Sequence, residues 1–334
     1  MDEEARDRRP ATDDLVRGWV HEDFALDLVS LAAVEHGADD NAQLWRGSAA
    51  DGTRFAVKLR GGGNAAGLVL TAHLTSNGVR EIAAPIPTRQ RQLWSDRDGR
   101  RLSVVPWVSD NRALSGPMGA AHWRAYGELL AQVHATAPSA PSAPSAADEL
   151  ARLLPREDHT HAELAETARA AAREWPTIAE ALTSLVQHAD RLGPQLRARP
   201  APDVICHGDP HLGNVLLGDA GTVWLVDWDD AVLAPRELDL MFVIGGVLAS
   251  APVTGEEQSW FFDGYGDSHL DRDLDPYRLA YYRCTRALID LVDWATWAAD
   301  PSRPESDRAE ARDIVDGLIS PTGLVTLALR SARP

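Results

Sequence analysis

The sequence predicts an α+β fold of two lobes, a small antiparallel sheet followed by a larger, mostly helical part. Three observations predict it. Short strand-like segments crowd the first hundred residues, helical periodicity takes over after Pro106, and one strand-and-loop unit returns over 204–230 inside the helical part. A chain of 334 residues, 44% hydrophobic and 25% charged, is long and apolar enough to bury a sizeable core. The expected division is 1–105 for the sheet lobe, 106–110 for a hinge and 111–334 for the helical lobe.

Leu28 to Val34, Ala42 to Gly47 and Arg54 to Leu59 are separated by the turn signals of 36–40 and Asp51-Gly52, the rhythm of an antiparallel meander. Asn64 to Ser76 carries Leu68, Val69, Ala72 and Leu74 at helical spacing and should stop near Asn77-Gly78. A second hairpin is expected from Arg89 to Trp94 and Leu102 to Val108, joined through Asp98-Gly99. Met118 to Ala135 repeats Trp123, Tyr126, Leu130 and Val133 at three- and four-residue intervals, which predicts a helix. The tract at 138–146 is proline, serine and alanine without apolar anchors, and is expected to be a mobile surface loop. Helices are expected to resume from Asp148 to about Gly193 and to dominate from Glu237 onward.

A formal net charge of −17 argues against a nucleic-acid or anionic-membrane partner, because phosphate backbones require a positive footprint. No apolar run reaches the length of a membrane span, and Met1 to Pro10 lacks the apolar core of a signal peptide. Two cysteines, Cys206 and Cys284, cannot make a disulfide framework. These features read as a reduced, cytoplasmic protein. Lys58 is the only lysine among 33 basic residues, which marks a place where a compact ammonium fits and a planar guanidinium does not.

The chemistry concentrates between Val204 and Asp230. An apolar strand runs into His207-Gly-Asp209-Pro-His211-Leu-Gly-Asn214, and a hydrophobic hairpin then ends in Asp227-Trp228-Asp229-Asp230. Two carboxylates and an amide oxygen, from Asp209, Asp227 and Asn214, are the proton acceptor and hard ligands that magnesium-dependent phosphoryl transfer uses. Asp209 and Asn214 have the D-x-x-x-x-N spacing of a kinase catalytic loop, with Asp227 in the place of the metal-binding aspartate beyond the hairpin.

His207 to Asn214 resembles the H-G-D-x-H-x-x-N loop of the aminoglycoside phosphotransferase family, which has a protein-kinase-like fold. Asp227 to Phe242, Phe261 to Gly266 and Tyr281 to Asp290 are most similar to its spectinomycin phosphotransferase branch. The resemblance covers roughly residues 30 to 300 and is most specific over 204 to 246. It implies that Asp209 is the catalytic base and that Asn214 and Asp227 hold Mg²⁺. It also implies that the buried Asp239 steadies the catalytic loop through backbone hydrogen bonds, while His207 is expected to brace that loop.

Phe55-Ala-Val-Lys58-Leu59 matches the V-A-I-K context of the strand lysine that contacts nucleotide phosphates. Strand alternation puts Ala56 and Lys58 on one face, with Ala56 as a clear floor for a base. Val104 to Val108 stands where a hinge should bind the purine of ATP or GTP, which makes Val105 and Trp107 nucleotide candidates. Two departures stand out. No G-x-G-x-x-G precedes Lys58, the stretch 35–43 taking that position, and no acid lies between Asp51 and Glu81 to give the helix a glutamate for Lys58. Lys58 is then expected either to sit in an unusual register or to be held by Asp227 and phosphate alone.

On the substrate side, Trp228, Asp229, Arg286 and Asp290 are the leading candidates, with Trp260, Asp263, Tyr265, Tyr282, Asp293, Trp294 and Trp297 nearby in sequence. Aromatic faces and carboxylates suit a compact amino-sugar-like or polycyclic molecule, although Trp294 and Trp297, one turn apart, are read first as a core stripe. The resemblance implies an ATP- or GTP-dependent transfer to a hydroxyl of a spectinomycin- or aminoglycoside-like antibiotic, conferring resistance. A nucleoside-type antibiotic or a homoserine-, choline- or fructosamine-like metabolite fits the same scaffold, and a catalytically silent binding protein is the reading of another class. Oligomeric state is not encoded in any of these features.

Overall fold

The computed structural model describes residues 11–34, 41–138, 150, 152–248, 251–266 and 274–330. The stretch 35–43, which stands where a glycine-rich loop would precede Lys58, lies outside the described residues over 35–40. So do most of the Pro/Ser/Ala tract, the helix start at Asp148 and Met1 to Pro10.

Five strands form one antiparallel sheet in the order β1 (Leu28–Ala33), β2 (Ala42–Ala49), β3 (Arg54–Arg60), β5 (Arg100–Pro106), β4 (Ser95–Arg97). Alternation along β3 sorts its side chains cleanly. Phe55, Val57 and Leu59 are buried on one face, and Ala56, Lys58 and Arg60 are half-buried on the other. The buried face is closed by a helix that precedes the sheet, α1 (Asp13–Phe24), through Val16, Trp19, Val20 and Phe24. That helix was not expected, although its apolar residues recur at three- and four-residue spacing.

The helix α2 (Ala66–Ser76) follows β3 and ends at Asn77-Gly78, as the sequence predicts. Its apolar residues Ala66, Val69, Leu70 and Leu74 pack into the core of the helical part rather than onto the sheet. Gly67 makes this possible, because a Cβ there would lie 2.6 Å from the Trp228 carbonyl oxygen. The expected first arm of the second hairpin is absent. Residues 89–94 form turns, with Arg91 at φ +63° and Thr88 bonding to Gln92, and the strand is the short β4.

The helical part is built from α3 (Ala120–Ala135), α4 (Ala162–Glu174), α5 (Ala179–Arg197), α6 (Glu237–Leu240), α7 (Gly255–Tyr265), α8 (Pro276–Ala299), α9 (Glu305–Ile319) and α10 (Leu324–Arg330). Residues 155–160 interrupt the expected helical run, and Arg156 bridges to Leu233 there. A capping box at Thr254 and Glu257 starts α7. Asp275 caps α8 by accepting from Tyr277 N, with Pro276 in the first turn. Two small two-stranded sheets stand at the boundary with the N-terminal sheet: β6 (Val204–Cys206) with β9 (Val232–Ala234), and β7 (Val215–Leu217) with β8 (Val223–Leu225). No described helix is long and apolar enough to cross a membrane.

Candidate active site

The loop 207–214 leaves β6 and is pinned from beneath by one carboxylate. Asp239, on α6 and fully buried, accepts from His207 N at 2.8 Å, Gly208 N at 2.9 Å and His134 Nε2 at 3.1 Å. His134 is held in turn by the Tyr265 hydroxyl at 2.7 Å. His134, Cys206 and Asp239 bring their ligand atoms within 4.8 Å of one another, but each already makes hydrogen bonds, so the cluster is a brace. Gly208 adopts φ +88°, and a Cβ there would meet the Asp230 carbonyl oxygen at 2.1 Å, so only glycine fits the turn. His207 steadies the loop from within: its Nε2 donates to the Val226 carbonyl at 2.9 Å, and its Nδ1 accepts from Asp209 N at 3.2 Å. The Tyr126 hydroxyl donates to the Pro210 carbonyl at 2.5 Å.

This frame presents Asp209. Its Oδ1 accepts from Arg286 Nη1 at 2.7 Å, and its Oδ2 lies 3.6 Å from His211 Nε2. Asn214 donates its Nδ2 to the Asp209 carbonyl at 2.9 Å, which leaves its amide oxygen for a cation. The Asn214 carbonyl accepts from Val226 N at 3.0 Å, bringing Asp227 beside it. Asp227 has φ +64°, a left-handed conformation that costs a non-glycine residue about 1–2 kcal/mol and turns its carboxylate outward, 56% exposed. Two hard oxygen donors side by side suit a divalent cation.

Lys58 reaches this loop from the sheet. Its Nζ lies 2.5 Å from Asp229 Oδ2 and 3.5 Å from Asp227 Oδ1, and Arg60 also pairs with Asp229. Burial disfavours the Lys58 ammonium, but Asp227 and Asp229 outweigh it and raise its pKa. Burial likewise pushes the Asp229 carboxyl up, yet Lys58 and Arg60 together hold it below the usual carboxylate range. The register is regular, with Lys58 opposite Ser103 and Leu44, so the missing helix glutamate is not a matter of strand slippage.

The substrate candidates separate. Arg286 joins Asp209, and its Nε lies 2.8 Å from Asp290 Oδ1 in an ion pair, with the guanidinium 5.4 Å from the Phe242 ring centroid. The two acids raise the Arg286 pKa against the opposing effect of burial, and burial raises Asp290 despite its partner. Burial also raises Asp230, reinforced by repulsion from Asp209 and partly offset by Arg286, and it raises Asp293, offset in part by Arg286. Trp228 faces no cleft. It is buried, donates to the Leu225 carbonyl at 3.0 Å and packs 4.5 Å from the His207 ring. Asp229 belongs to Lys58 rather than to the substrate side. Tyr282 is buried against His159, and Trp297 stacks under Arg303. Sequence reasoning missed Arg60, which strand alternation alone places beside Lys58.

The sequence matches the phosphotransferase enzyme family over residues 30–288. The chain belongs to that family. No curated protein matches it in sequence. Among solved structures, it resembles a spectinomycin phosphotransferase in complex with ADP and spectinomycin. The TM-score is 0.81 at 24% identity, covering 96% of this chain and 98% of the other. An aminoglycoside phosphotransferase mutant in a ternary complex with AMP-PNP and hygromycin B gives a TM-score of 0.64 at 15% identity, covering 96% and 99%. An amicoumacin kinase with AMP-PNP and Ca²⁺ gives 0.62 at 16% identity, covering 98% and 100%. The two-lobed, kinase-like fold expected from the sequence is the fold these enzymes share with this phosphotransferase.

Proposed function

We propose that this phosphotransferase moves the terminal phosphoryl group of ATP or GTP to a hydroxyl of a small antibiotic of the spectinomycin or aminoglycoside type, and so confers resistance. One observation carries the reading: the chain's only lysine, the Asp209 loop and the Asn214 and Asp227 oxygens meet at a single place. With a lobe at 1–105, a hinge at 106–110 and a lobe at 111–334, the nucleotide would sit at that meeting point. Lys58 would contact its α- and β-phosphates over the open floor at Ala56. The hinge backbone near Val105 and Trp107 would meet the purine edge. Trp107 N already donates to the Arg54 carbonyl at 3.0 Å, which leaves Trp107 its carbonyl for that contact.

Asn214 and Asp227 would hold Mg²⁺, which supplies neutralisation of charge on the transferring group. Arg286 occupies Asp209 Oδ1, so Oδ2 is the oxygen left to take or direct the hydroxyl proton. Arg286 would also keep that carboxylate aimed by tying it to the half-buried Asp290. Asp230 and Asp293 add acid around the same arginine and favour an acceptor that carries amines.

A panel of acceptors tests the reading, with phosphate mass on the acceptor as the readout. Spectinomycin-like aminocyclitols, aminoglycosides, nucleoside antibiotics and homoserine-, choline- and fructosamine-like metabolites make up the panel. Phosphorylation within the first two groups is expected. Transfer confined to the metabolites would contradict the antibiotic assignment, and nucleotide binding without transfer to any acceptor would contradict the enzymatic one.

A further inference from the structure

The segment between Asp51 and Glu81 contains no acid, so α2 has nothing with which to hold Lys58. A lysine on a four-carbon stem without a partner samples many rotamers, and fixing it costs roughly 2 kcal/mol of side-chain entropy. The structure fixes it by another route. Asp229 Oδ2 lies 2.5 Å from Lys58 Nζ, a charge-assisted contact, whereas Asp227 Oδ1 is at 3.5 Å. Lys58, Asp229, Arg60 and Leu68 line one small cavity between the sheet and α2. A helix glutamate would have to reach into this space. Gly67 draws α2 against the Trp228 backbone, one residue before Asp229, so helix and loop are packed as a unit.

We propose that Asp229 is the positioning residue for Lys58, the carboxylate this chain uses in place of a helix glutamate. The proposal rests on the phosphotransferase reading for the role of Lys58. Asp229 stands two residues from Asp227 on one loop. Lys58 is therefore referenced to the same loop that presents Asp227, and Asp229 ties that loop to the sheet. Arg60, on the same strand face, is a second cation on Asp229, so the carboxylate does not leave the pocket net negative where phosphates must enter. Asp229 acts through Lys58 and touches no reacting atom in this account.

A double-mutant cycle on the full chain tests it, using Asp229→Asn, Lys58→Met and the combination. ATP affinity is measured by calorimetry, and kcat and KM for ATP with the best acceptor. Asp229→Asn should lower kcat/KM for ATP by about 10- to 100-fold, the loss of one charge-assisted contact. In the Lys58→Met background the same change should cost less than about 2-fold. Adding Leu68→Glu to Asp229→Asn should recover part of the loss, because that side chain lines the same cavity. Independent, multiplicative effects of the two single changes would overturn the proposal, as would wild-type kinetics in Asp229→Asn. If Asp229→Asn does not fold, Asp229→Ser in the same cycle gives the same two outcomes. Failure of the wild-type chain to bind ATP at all would instead sink the nucleotide-site reading, which keeps the two failures apart.

Discussion

Asp239→Asn tests how the loop at 207–214 is held. In the structure this side chain faces three donors: His207 N at 2.8 Å, Gly208 N at 2.9 Å and His134 Nε2 at 3.1 Å. Both backbone bonds use different oxygens, so an amide keeps one acceptor and aims an NH₂ group at a donor on the other side. The loss is then at least one hydrogen bond to a charged group, about 1.5–3 kcal/mol, plus the desolvation penalty of a stranded buried donor, about 1–3 kcal/mol. The sum is about 2.5–6 kcal/mol, a large fraction of the roughly 5–15 kcal/mol stability typical of a domain. Urea unfolding, monitored by tryptophan fluorescence, reads it as a lowered midpoint at unchanged slope. Residual folded enzyme should also turn over slowly, because the backbone on either side of Asp209 has lost its anchor. An unfolding free energy within about 0.5 kcal/mol of wild type, the ordinary range for a surface change, would refute the claim that Asp239 holds the loop.

Gly67→Ala should overpack the contact between α2 and the Trp228 backbone, 2.6 Å from the added Cβ. The expected cost is about 1–3 kcal/mol, with a rise in KM for ATP because the Asp227–Asp229 loop is displaced, measured by urea midpoint and steady-state kinetics. His159 is buried beside Arg278, and burial first, then that guanidinium, depresses its pKa to about 4. A base whose folded-state pKa lies below its unfolded value leaves the unfolded chain with more protons between the two. Its contribution is therefore complete above about pH 6.5 and is lost as pH falls toward 4. Unfolding midpoints taken across that window should decline in the wild type and decline less steeply in His159→Gln.

The sheet was legible, apart from the arm expected over 89–94, because strand alternation and turn residues coincide. Val57 and Leu59 had to face a core, and Asp98-Gly99 had to turn. The loop was legible because Gly208, Asp209, Asn214 and Asp239 answer to one geometry whose spacing survives in sequence. The partner of Lys58 was not, since Asp229 lies 171 residues away and only tertiary packing brings it near. Trp228 misled for a related reason. Its neighbours in sequence are the candidate acids Asp227 and Asp229, but the turn at Asp227 sends the indole inward against His207. The N-terminal helix carried a readable stripe at Val16, Trp19, Val20 and Phe24, overshadowed by the strands that follow it.

The most direct test of the whole account compares wild type with Asp209→Ala for transfer of phosphate from ATP to a spectinomycin-like acceptor, with ATP affinity measured alongside. The account predicts a phosphorylated acceptor from the wild type, none above background from Asp209→Ala, and ATP affinity changed by less than about 2-fold, since it assigns Asp209 to the acceptor's hydroxyl and not to the nucleotide. Transfer by Asp209→Ala at the wild-type rate would contradict it.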